Sequence, residues 1–423
     1  MHLRDNLLAI FALTICSTCA HAQSGFSTVI NLPDPNDLNA VSFLGNVGSD
    51  TQLNISDGGT LGSISNVGSV DSSNTEVNIS GGTVYGIFSA TNSTVNISGG
   101  GIDSIFDATS STVNISGGGI DSFFGATSST VNISGGTVGG SFRATSSTVN
   151  ISGGTVGGIF SATNSTVNIS GGTVGGSFRA TSSTVNISGE TIGGPPVIFR
   201  ANNSTVNVSG GTFTIFDAED GSEVNVSGGT FNGFDAEDGS TVNISGGTLN
   251  RSFDAEDGST VNISGGNIGN DFDANSGSEV NISGGAFGEG FVASSGSEVN
   301  ISGGIFADGF EANRSSIVNL LGTEFFLDGE PLENLILDQT TTVSERGENV
   351  ILSGLLADGT SFDFALDDGF DFPGFNFYTS DHFASGSTLT VTLVAVPEPG
   401  SGLALATISI LLLSSRRKKT LHS

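Results

Sequence analysis

The chain has no tryptophan, one methionine and two tyrosines in 423 residues. Its only cysteines, Cys16 and Cys19, stand close to the N-terminus, so a body that starts after them has neither disulfides nor thiol chemistry. Lysine is confined to Lys418 and Lys419. Between residue 23 and that tail the cations are Arg143, Arg179, Arg200, Arg251, Arg314 and Arg346. The whole chain sets 11 lysines and arginines against 42 acidic residues, a formal net charge of −31. That balance excludes a nucleic-acid partner. It suits a soluble exterior protein, or one that meets cations.

Catalytic groups are scarce too. The region from 23 to 394 holds one histidine, His382. A Ser-His-Asp arrangement could form only around it, and no Gly-x-Ser-x-Gly elbow accompanies it; a lone histidine of this kind is more often structural. No zinc or phosphate-loop motif is present. Carboxylates are plentiful, and some β-helix enzymes cut polysaccharides with a carboxylate pair. Such a pair must be unique in its surroundings, whereas these segments are near copies, so no enzyme is expected.

What the chain has is one phrase, Val-Asn-Ile-Ser-Gly-Gly. Its asparagine recurs, with small variations around it, at Asn54, Asn78, Asn96, Asn114, Asn132, Asn150, Asn168, Asn186, Asn207, Asn225, Asn243, Asn262, Asn281, Asn300 and Asn319. The step is 18 residues from Asn78 to Asn186 and 19 from Asn243 to Asn319. A fixed period of this size marks a solenoid, in which each unit is stable only when stacked on its neighbours. In the unit from Val149 to Thr166 the apolar places are Val149, Ile151, Val156, Phe160 and Ala162. Spacing of two is strand spacing, and the glycine pairs between are corners. Each unit therefore reads as a coil of two or three very short strands.

Like residues should then fall on like. One phenylalanine column runs through Phe88, Phe106, Phe124, Phe142, Phe160 and Phe178 and continues through Phe199, Phe216, Phe234, Phe253, Phe272, Phe291 and Phe310. Disorder, the other reading of so glycine-rich a chain, needs no such column. About fifteen coils rising about 4.8 Å each predict a rod roughly 70 Å long. A left-handed hexapeptide helix also uses 18 residues per coil, but it would bury Val149, Thr155 and Ser161, and elsewhere Arg143 or Asp107. The expectation is an all-β parallel β-helix, right-handed.

The expected divisions are a signal peptide (1–22), an N-terminal cap (23–50), the repeat array (51–321), a C-terminal β cap (322–394) with a separate small β domain as the alternative, and a sorting tail (395–423). The leader has Arg4, an apolar run from Leu7 to Cys16, and Ala20-His21-Ala22 before Gln23. This predicts secretory cleavage between Ala22 and Gln23.

Two surfaces stand out. Thr94, Asn96 and Ser98 alternate with inward Val95 and Ile97, so they predict a flat polar ladder suited to ice or a polymeric sugar. After Asn207 the last corner turns acidic: Asp217 to Ser222, Asp235 to Ser240, Asp254 to Ser259. In the same half the leading threonine becomes glutamate at Glu223, Glu279 and Glu298. Stacked carboxylates would repel, and Ca²⁺ could relieve that; a solvated acidic edge is the plainer reading. No cofactor is expected otherwise. The Asn-x-Ser acceptor pattern in every phrase but that of Asn319 is a by-product of the repeat.

The tail has three parts: Val396-Pro397-Glu398-Pro399, an apolar run from Leu403 to Leu413, and Arg416-Arg417-Lys418-Lys419. The run is short for a span, and the basic cluster would stay cytoplasmic. In this order the parts closely resemble the PEP-CTERM sorting signal of Gram-negative bacteria. That resemblance implies a membrane-anchored precursor, processing by a membrane protease-transpeptidase (the exosortase), and delivery to the cell exterior, often with exopolysaccharide. The repeats are similar, more loosely, to those of autotransporter-type adhesin passengers. The expected function is a structural or adhesive surface rod. A ligand-binding solenoid comes second, and a polysaccharide-cleaving enzyme a distant third.

Overall fold

A computed structural model describes residues 26–32, 41–42, 46–62, 64–67, 74–189, 191–192, 198–368 and 381–396. Among them there is no helix, and the strands stack in parallel as a β-solenoid. One coil runs through the strands Ser93–Ile97, Gly101–Ile102 and Phe106–Thr109. The first two strands of each coil join one long sheet and the third joins a second. Register is residue on residue: Val95 pairs Val113, Asn96 pairs Asn114, Phe106 pairs Phe124.

The interior follows from period two. Val149, Ile151, Val156, Phe160 and Ala162 are all buried, which contributes roughly 1.5–3 kcal/mol for each large side chain. Neighbouring rings such as Phe142 and Phe160 stack 4.7 Å apart and 7° from parallel. A second column, unread in the sequence, joins them in the later coils: Phe213, Phe231, Phe287 and Phe306 meet the first column edge-on, as Phe213 does Phe216 at 5.6 Å and 74°. The glycine corner is sterically forced. A β-carbon at Gly153 would come within 2.4 Å of Ser134 O in the coil before, and Gly154 has φ +76°, a conformation few side chains tolerate.

About 13 regular turns form, rather than fifteen. The outer two phrases belong to irregular ends. Asn54 lies 24 residues before Asn78. The Asn319 strand, Ile317–Leu327, stacks on the last coil with its first half and turns into an antiparallel pairing with Ile351–Leu356 in its second. The sheet also begins before the expected first coil, because Thr28–Leu32 pairs in register with Thr51–Ile55.

At the C-terminal end Thr388–Leu393 lies parallel to Ile317–Gly322 and adds a rung to the array. Asp381 fastens this cap. Its Oδ1 accepts from the backbone N–H groups of Gly309 and Phe310, and its Oδ2 from that of Ala365. Burial nevertheless raises its pKa above the usual carboxylate range.

Candidate functional site

Stacking turns the recurrent asparagine into a continuous amide ladder. Asn96 Nδ2 donates to Asn78 Oδ1 at 2.8 Å, Asn114 to Asn96 and Asn150 to Asn132 likewise, and the series runs on to Asn319. Every amide donates toward the N-terminal neighbour. Thr390 Oγ1, which pairs Asn319 in the cap, donates to the last Oδ1 at 2.7 Å. Amides such as Asn186 and Asn243 keep one N–H and one carbonyl lone pair for the outside, whereas Asn78, Asn225, Asn281 and Asn319 give the second N–H to Glu76, Glu223, Glu279 and Glu298. The ladder also fixes which way each amide faces.

The expected flat face is corrected from Asn168 onward. There the asparagine and serine columns line a groove of about 1250 Å³ that spans nine coils, from Asn168 to Asn319, and continues onto cap residues Thr340, Thr390 and Thr392. Its onset coincides with a change at the corner. The second corner glycine has φ +63° at Gly100, +83° at Gly172, +99° at Gly211 and +104° at Gly304. The inward residue that follows grows over the same stretch, from Val156 and Val174 to Phe213 and Phe231. Leu249 and Ile268 hold the same place between the phenylalanines, after corners of +95° and +98°.

One groove wall carries the asparagine amides. On the other, serine hydroxyls donate to the preceding coil's backbone: Ser227 Oγ to Val208 O at 3.3 Å, Ser245 Oγ to Val226 O at 3.2 Å, Ser302 Oγ to Ile282 O at 3.1 Å. With its proton so placed, each hydroxyl offers lone pairs to the groove. Glu279 and Glu298 are the only charged lining residues.

The acidic stretches also differ from expectation. Asp217, Asp235, Asp254 and Asp273 sit within strands of the phenylalanine sheet, in register coil on coil, and not at a solvated edge. Only the tips, such as Asp220 and Asp238, take the left-handed corner conformation. Burial, then the charges of Asp217 and Asp254, push the Asp235 carboxyl up to about 7. Burial, then Asp254 and Asp271, push Asp273 up to about 6. Burial raises Asp254 as well, less than it otherwise would because Asp235 and Asp273 hydrogen-bond to it. Arg200 closes the N-terminal end of this row, 3.0 Å from Asp217 and 2.7 Å from Glu219. Among the described residues no three histidine, cysteine, aspartate or glutamate side chains are grouped to hold a metal ion.

Other predicted positions fall elsewhere. His382 lies on a two-residue strand beside Glu311, and its backbone N–H donates to Phe310 O. Val396 is 74% exposed and is the last described residue. Ala22, Gln23, Pro397, Glu398, Pro399, Arg416, Arg417, Lys418 and Lys419 lie outside the described residues, as do Pro195, Pro196 and the aromatic stretch from Phe370 to Tyr378. No described helix is long and apolar enough to cross a membrane. Comparison with family models, with curated proteins and with solved structures finds no match.

The sequence reading missed the amide ladder, the second phenylalanine column and a buried serine column. In that column Ser111 N donates to Ser129 Oγ, and Ser129 Oγ donates to Thr127 O. An asparagine kept at an outward place in every coil was the available signal, since only stacking gives it a partner.

Proposed function

We propose that this chain is an exported rod of the cell surface or extracellular matrix, and that its groove holds extracellular polysaccharide. The role is structural and adhesive, one of binding and not of catalysis. The observation that carries it is the groove: a trough with asparagine and serine donors and acceptors repeated along nine coils, charged only at Glu279 and Glu298, fits a polymer with repeated hydroxyls. Ice, with its flat crystal planes, fits a trough poorly. The leader ending at Ala22, the net charge of −31 and the exposed exit of the chain at Val396, just ahead of Pro397-Glu398-Pro399, support export and C-terminal processing by an exosortase-type enzyme.

The test is retention of the purified chain on immobilised neutral and acidic polysaccharides, including exopolysaccharide from the source organism. Ser245→Trp places a bulky group in mid-groove at an outward, exposed site and should weaken retention strongly. Ser98→Trp, in a coil ahead of the groove, should leave it intact. Equal retention of both variants would reject the groove as the binding surface.

A further inference from the structure

Resting on that reading, we infer that the groove takes a single extended, unbranched polysaccharide chain in register, one sugar unit per coil. The spacing of the site is fixed by the fold. Across the grooved coils the stacked rings lie 4.6 to 5.0 Å apart, the strand-to-strand distance of any β ladder. Every asparagine and serine of the groove repeats at that interval. A pyranose linked through opposite corners of its ring advances only slightly more than this in an extended chain, a mismatch that stays below one coil over the length of the groove. An extended peptide advances about 3.3 Å per residue and drifts out of step within a few coils. Nucleic acid is repelled by the negative charge.

The chemistry of the walls agrees with the spacing. On the asparagine side each coil from Asn168 to Asn300 offers a carbonyl lone pair, held in a single orientation by the ladder, with a free N–H beside it except at Asn225 and Asn281, whose second N–H donates to Glu223 and Glu279. On the serine side each coil from Ser209 to Ser302 offers hydroxyl lone pairs, because the proton is committed to the backbone. Sugar hydroxyls both donate and accept, so one unit can bridge the two walls at every coil. Ordered waters can complete the remaining bonds. The walls also set the shape limit. A branch aimed at either wall would meet a row of side chains repeated every coil, and a chain coiled by its linkages would leave the row of partners.

The experiment is a length series. Fluorescently labelled, unbranched β-1,4-linked glucose and N-acetylglucosamine oligomers of three to twelve units would be titrated with the full-length chain, alongside branched and helical α-linked glucans of equal mass. With roughly one net hydrogen bond gained per coil, affinity should rise about threefold per added unit. It should level off at about nine units, when the grooved coils are filled. The branched and α-linked probes should bind no tighter than the shortest oligomer. Ser302→Trp, nearer the cap, should shorten the plateau, whereas Ser245→Trp should cut it roughly in half. Binding that is independent of length, or equal for branched chains, would overturn the register while leaving a polysaccharide-binding groove. No binding by any probe, with the Ser245→Trp variant indistinguishable from the parent, would overturn the groove reading itself.

Discussion

Phe178 and Phe199 meet edge to face, with centroids 4.7 Å apart and rings 78° from parallel. On either side Phe160 stacks on Phe178 at 3° and Phe199 on Phe216 at 12°. The break falls where Asn186 and Asn207 are 21 residues apart, an oversized coil. In a solenoid stability is a sum of coil and nearest-neighbour terms, so the step that carries the insertion is where the array should divide. Hydrogen exchange should therefore be faster at Val185–Ile187 and Val206–Val208 than at Val149–Ile151. Uniform protection along the rod would contradict a seam.

Phe160 sits in mid-stack with no exposure. Phe160→Ala should cost about 3–5 kcal/mol by leaving a cavity between two rings. Phe160→Asp should cost more, because a carboxylate would be buried without a partner. Urea unfolding followed by far-ultraviolet circular dichroism reads both. A Phe160→Asp variant with the parent's midpoint would place the ring outside the core.

The aspartate row makes the rod more stable in mild acid than at neutral pH. Asp235 and Asp273 are raised to about 7 and about 6, against about 3.9 in an unfolded chain. Over that interval the folded state binds more protons than the unfolded one, so stability falls as pH rises. Below about 4 both states are protonated and the row costs nothing; above about 7 its full cost is in place. The melting temperature should drop between pH 4.5 and 7.5, and the drop should shrink in an Asp235→Asn/Asp273→Asn double variant. A flat profile in the parent would refute the coupling.

The amide ladder predicts an asymmetry between two substitutions. Asn150→Ala leaves Asn132 Oδ1 and Asn168 Nδ2 without their partners, worth about 1–3 kcal/mol in this half-buried row. Asn150→Asp keeps the acceptor for Asn168 but sets a carboxylate oxygen against Asn132 Oδ1. Its deficit should exceed that of the alanine variant at pH 7. It should shrink below about pH 4, where the carboxyl regains a proton to donate. Matched unfolding curves at the two pH values decide it.

Export and sorting are tested by mass. Protein released by its native host should lack residues 1–22 and the basic end, with a new C-terminus between Val396 and Pro399. A mass that still includes Arg416 to Ser423 would reduce the tail to an anchor.

The groove was half legible. That Asn96 and Ser98 face outward follows from their alternation with Val95 and Ile97, because side chains on a strand alternate by geometry. That the two columns become opposite walls does not follow, because it depends on the corner angle. The corner opens from +63° at Gly100 to +104° at Gly304 under an identical Ser-Gly-Gly spelling. The aspartates show the same limit. Their regular return was plain in the sequence, but their half-burial on the phenylalanine sheet was not. A surface site becomes a proton-binding row only through the neighbours that dehydrate and charge it.

The sequence by itself determined the stacking. An 18- or 19-residue period with apolar residues two apart leaves few ways to bury Val149, Ile151, Phe160 and Ala162 other than on their own copies. Register is fixed because a slip would turn every one of them outward. Only the tertiary structure decided what the outer face became. Hydrogen-bond partners such as Asn78 for Asn96, the serine wall opposite the amides and the Arg200 lid on the aspartate row are all contacts between coils. A contact 18 residues distant has no local signature, and it acquires an energy only once the coils lie one strand spacing apart.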